Sequence, residues 1–117
     1  MNDDGVDLQS LLDRVGGDRD FVKELVTGFA QRCPGMLAEI RDALQREDRE
    51  RLPSAAHHLS GSAAEYGAHK VLAITRELER LGRSGDMHRA QELLPELEAA
   101  VAQMQAALES FRDRPDD

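Results

Sequence analysis

Residues 56–68 read Ala-His-His-Leu-Ser-Gly-Ser-Ala-Ala-Glu-Tyr-Gly-Ala, and they hold the residue type best suited to chemistry in this chain. Imidazole titrates near neutral pH and is a good phosphoryl acceptor. On a helical wheel Leu52, Ala55, Ala56, Leu59, Ala63 and Tyr66 form one apolar stripe, and His57 lies roughly 150° from its centre. His57 therefore points outward among Pro53, Ser54, Ser60, Gly61 and Ala64, a face without a single long side chain. Solvated faces ordinarily carry Lys, Glu and Arg, and Gly in a helix interior costs about 1 kcal/mol relative to Ala. A bare face has a use when another protein must bring a reactive group within attack distance of a nitrogen. The competing explanation is an ordinary surface histidine beside a glycine that permits tight helix packing. His58 points about 100° away from His57, toward the bundle boundary, and is the poorer candidate.

The elements that must position His57 follow from periodicity. Leu8, Leu11, Leu12 and Val15 share one side of a short first helix that Gly16-Gly17 ends. Asp18 is a good cap for a second helix carrying Val22 to Leu44 at helical spacing, with Pro34 expected to kink or briefly break it. Asp48 marks the next boundary, and Pro53 suits the first turn of a third helix that runs to about Tyr66. A fourth carries Val71, Ile74, Leu78 and Leu81 and stops at Gly82 or Gly85. Asp86 caps a fifth, from Met87 to Phe111, in which Pro95 predicts a distortion near Gln91. Such stripes bury only against one another. The expected fold is all-α, an antiparallel four-helix bundle with a short extra N-terminal helix. It forms one domain over residues 1–117, with its core at about 7–112 and a frayed tail at 113–117.

Composition narrows the function. The 117 residues suffice for one modest core, which must be aliphatic because only 3% are aromatic. A net charge of −8 disfavours nucleic acid and anionic lipid as partners. One cysteine, Cys33, allows no internal disulfide and reads as core. His57, His58, His69 and His88 lack metal-ligand spacing, so no metal is expected. Carboxylate pairs arise by chance among 23 acidic residues and single out none. There is no phosphate-cradling loop, signal segment or membrane span, which points to a cytoplasmic protein. The Met1 start points to a free-standing shuttle.

Ala56-His57-His58-Leu59-Ser60-Gly61, followed by Gly67-Ala68, resembles the signature of histidine-containing phosphotransfer (HPt) domains: Ala-His-any-Leu-Lys-Gly, then Gly-Ala. Gly16-Gly17-Asp18, Phe29, Ala43-Leu44 to Asp48, Leu78-Glu79 and Gly85-Asp86 also fall where that pattern has similar residues, so the resemblance covers about residues 7–112. It implies that His57 takes a phosphoryl group from a receiver-domain aspartyl phosphate and passes it on, in a multistep phosphorelay of two-component signalling. The module would be a carrier, without kinase or ATPase activity. Gly61, with Ala64, would clear space for the receiver. Partners would be response-regulator receiver domains and hybrid sensor kinases, met by a monomer. No cofactor is implied, since Mg²⁺ belongs to the receiver. One departure stands out: Ser60 occupies the usual lysine position, and a hydroxyl brings no positive charge. A less stabilised phosphohistidine is then expected, unless a cation such as Arg83, in a stripe with Arg76 and Arg80, compensates. A helical-bundle adaptor that binds receivers or kinases without phosphotransfer is the alternative, and it would tolerate His57→Gln.

Overall fold

The computed structural model describes residues 5–114, which form six helices and no strand. Residues 1–4 and the end of the expected frayed tail, residues 115–117, lie outside the described residues. The helices are α1 (Leu8–Arg14), α2 (Arg19–Gln45), α3 (Arg51–Glu65), α4 (His69–Ser84), α5 (Met87–Glu92) and α6 (Leu94–Asp113). The all-α class read from the sequence is the class observed.

Local chemistry sets most boundaries. Asp7, Asp18 and Asp86 each accept a bond from the backbone N–H three residues on, satisfying a donor that the first helical turn leaves free. Asp48 does the same for Arg51 at 3.1 Å, so it caps α3 from just outside the helix. At the C-terminal end of α4, Gly85 takes the left-handed conformation, at φ 83°, and the Asp86 N–H returns to the Leu81 carbonyl. Glu47 takes that conformation after α2, at φ 51°, although it carries a side chain.

At Pro34 the expected break is absent, and at Pro95 the expected distortion is displaced. α2 runs through Pro34 without breaking, with the ring on an exposed position. Pro95 does split the last helix, but at Leu93 rather than Gln91: it sits in the first turn of α6, where its missing N–H has no partner to lose.

Cross-links fix the order of packing. α3 runs antiparallel to α2, with Asp42 bonded to Arg51 and the Tyr66 hydroxyl bonded to the Leu25 carbonyl. α6 runs antiparallel to α2, since Arg41 meets Glu98 and Lys23 meets the Arg114 carbonyl. α4 packs between α3 and α6. The shared core is aliphatic, as expected, with Phe29 and Tyr66 stacked at 4.9 Å between centroids. Tyr66 is buried, and its hydroxyl donates to the Leu25 backbone carbonyl at 3.0 Å. α1 covers the end of α3, where the Asp7 N–H bonds the Tyr66 carbonyl and Arg14 bonds the Glu65 carbonyl.

Candidate functional site

The site lies on the α3–α4 seam. These helices approach closely because Gly82 faces Pro53: a Cβ at position 82 would stand 2.9 Å from the proline ring. Gly82 is thus a helix-packing residue inside α4, and the stop falls at Gly85. The contact sets the register that brings Glu79 opposite His57 and Ser60.

His57 is outward, with its side chain 73% exposed. Its Nδ1 lies 3.1 Å from Oε1 of Glu79, whose side chain is only 10% exposed. The other carboxylate oxygen, Oε2, accepts from the Ser60 hydroxyl at 2.9 Å. Ser60 Oγ is also 2.7 Å from Thr75 Oγ1, and both residues are buried. The Ser60 hydroxyl has one proton to share between the Glu79 carboxylate, the stronger acceptor, and Thr75 Oγ1, while Thr75 donates to the Leu72 carbonyl at 3.1 Å. Arg83 approaches Glu79 Oε1 at 3.6 Å. The carboxylate, which an unpaired burial would penalise heavily, is therefore held on three sides.

This geometry assigns the imidazole proton. A carboxylate accepts, so Nδ1 carries the hydrogen in this pair, and in the neutral ring Nε2 is the nitrogen left with a lone pair. Around it, His57, Ser60, Gly61, Ala64, Leu72, Arg76, Glu79 and Arg83 line an open depression of about 420 Å³. A Cβ on Gly61 would meet nothing within 4 Å, so this glycine serves no helix contact and leaves the approach to His57 clear.

Of the residues singled out from the sequence, His57, Ser60, Gly61, Ala64 and Arg83 all border this depression. Ser60 is there with a difference: it turns inward to Thr75 and Glu79 rather than sharing the open face of His57. The arginine stripe divides. Arg76 and Arg83 face the depression, while Arg80 pairs with Glu77. His58 points toward Glu39 of α2, 3.9 Å away. Cys33 is buried, and burial pushes its thiol pKa up, away from a reactive thiolate.

Thr75 is not singled out by the sequence, and Glu79 enters there only through the Leu78-Glu79 pair of the resemblance, with no role attached to it. A signal for the role of Glu79 lies in its place: it adjoins Leu78 on the apolar stripe of α4, where an unpartnered carboxylate is costly.

The Hpt domain family model matches residues 24–107, from α2 into α6 and through the entire site. The chain belongs to the Hpt domain family. Members of this family are phosphotransfer carriers rather than kinases. A curated relative, the "Phosphorelay intermediate protein rdeA" of Dictyostelium discoideum, is 22% identical over 106 residues. The match covers 91% of this chain and 42% of the relative, so this Hpt chain spans about two fifths of that protein's length. No solved structure matches it significantly. None of its described helices is long and apolar enough to cross a membrane.

Proposed function

We propose that this Hpt domain is a cytoplasmic, monomeric phosphoryl carrier of a multistep phosphorelay, with His57 as the residue that takes and gives the group. The observation that supports it most is the Glu79–His57 bond, which ties up Nδ1 and makes Nε2 the lone-pair nitrogen of the neutral ring, beside an open depression that Gly61 and Ala64 border. In the reading, the Nε2 lone pair attacks the phosphorus of a receiver's aspartyl phosphate. The new P–N bond forms as the P–O bond breaks, and the receiver's carboxylate departs with the electron pair. No proton has to move: Nδ1 keeps its hydrogen, the ring becomes a phosphoimidazolium, and Glu79 balances its charge. The reverse step delivers the group to a second receiver. Mg²⁺ and the remaining catalytic groups come from the receiver. Gly61 and Ala64 leave room for the receiver to approach. Hybrid sensor kinases, through their receiver domains, are the upstream partners of this scheme.

The test is transfer from phosphorylated receiver domains of the source organism to wild type, His57→Gln and His58→Gln. The proposal expects label in wild type and His58→Gln and none in His57→Gln. Measurable receiver binding without label in any form would favour the adaptor reading instead.

A further inference from the structure

Phosphorylation of His57 brings up to two negative charges to a site whose own helix supplies no cation. Ser60 stands where the resemblance expects lysine, and its hydroxyl is buried and committed to Glu79. Glu79 itself adds a negative charge beneath the ring. Arg83 is drawn to that carboxylate at 3.6 Å. On the side of α3 that faces α2, His58 and Glu39 offer one weak pair of mixed character.

Arg76 is placed differently. It stands one turn before Arg80 on α4 and lines the same depression as His57. It is exposed, and among the described residues no hydrogen bond or ion pair engages its guanidinium. Gly61 lies in the same depression, and the space that its side chain would occupy is empty. A long side chain from α4 has an unobstructed lane across it.

We propose that Arg76 folds across Gly61 and binds the phosphoryl oxygens of phosphorylated His57, supplying the cation that position 60 lacks. This rests on His57 being the phosphorylated residue. A planar guanidinium suits the task, because it offers paired donors to two oxygens of a phosphoryl group. It also gives Gly61 a second use, since any side chain there would block the arginine as well as the receiver.

The experiment loads the protein with phosphoramidate, a small phosphoryl donor that needs no receiver. The second ionisation of the phosphoryl group is then followed by ³¹P NMR. A neighbouring cation favours the dianion and lowers that midpoint. Arg76→Gln should raise it by about 0.3 pH unit or more, the scale of one charge at several ångströms in a solvated site. Arg76→Lys should restore most of the difference. Arg80→Gln, which removes a cation of the same helix already paired to Glu77, should leave the midpoint in place. Label on His57 with an unchanged midpoint in Arg76→Gln, or an equal shift in Arg80→Gln, would overturn the arginine assignment alone. No label on His57 would overturn the carrier reading together with it. Unaltered helical circular dichroism keeps each variant interpretable.

Discussion

Glu79 reaches from α4 to His57 on α3 and holds Nδ1 at 3.1 Å, while its second oxygen takes the Ser60 hydroxyl at 2.9 Å. The carboxylate thereby links an exposed ring to a buried polar cluster. Its position decides which imidazole nitrogen is available to a partner, and it can balance the ring charge that phosphorylation creates.

Replacing Glu79 by Ala removes the acceptor that fixes the Nδ1–H tautomer. Long-range ¹H–¹⁵N NMR of His57 should show the Nδ1–H form dominant in wild type and a mixture enriched in Nε2–H in the variant. Phosphoryl acceptance should fall by about tenfold, the effect of losing about 1.4 kcal/mol of ring orientation and charge balance. An unchanged tautomer would mean that the Glu79 bond does not orient the ring.

Gly61 separates stability from function. A Cβ there meets nothing, so Gly61→Ala should stabilise the domain by about 0.5–1 kcal/mol through helix propensity alone. Gly61→Gln should fold as well as wild type yet accept phosphoryl groups about tenfold more slowly from a receiver. Denaturant unfolding and transfer rates, measured on the same samples, check both halves.

Gly82 should behave in the opposite way. A methyl group would press on the Pro53 ring at 2.9 Å. Gly82→Ala should therefore lose about 1–3 kcal/mol as α3 and α4 separate, despite the better helix propensity of alanine. A gain in stability would show that the seam has slack.

Tyr66 predicts an alkaline limit. Burial pushes its phenol up to about 12 from an ordinary value of 10.0. The folded state thus holds the proton more tightly than the unfolded chain. Its contribution to stability is complete below pH 10 and is lost as pH rises toward 12. Tyr66→Phe should lose about 0.5–1.5 kcal/mol near neutral pH with the bond to Leu25. It should also unfold less steeply with pH in the alkaline window. Tyr66 is the sole tyrosine and there is no tryptophan, so tyrosinate absorbance reads this group directly.

What could be read from the sequence was what short-range chemistry controls. Asp18 and Asp86 cap helices because the aspartate and its target N–H are three residues apart, and Leu52, Ala55, Ala56, Leu59, Ala63 and Tyr66 are buried because spacing puts them on one stripe. The outward direction of His57 follows from the same wheel. Ser60 and Glu79 were harder because each sits at the edge of its stripe, next to Leu59 and Leu78. Whether an edge residue meets water depends on the facing helix, and a single-helix wheel does not contain that helix. Facing one another, the two edges form a polar seam, and Gly82 on Pro53 sets its register. The Pro95 break was visible in kind but shifted to Leu93, because the proline was absorbed as the start of a new helix.

The most direct test is to locate the phosphoryl group on the atom. Protein labelled with ¹⁵N is loaded by a phosphorylated receiver or by phosphoramidate, and the P–N linkage is assigned by NMR in wild type, His57→Gln and His58→Gln. The account predicts an acid-labile, alkali-stable group on Nε2 of His57, retained in His58→Gln and absent in His57→Gln. A group on Nδ1 of His57, or label that survives His57→Gln, would contradict it.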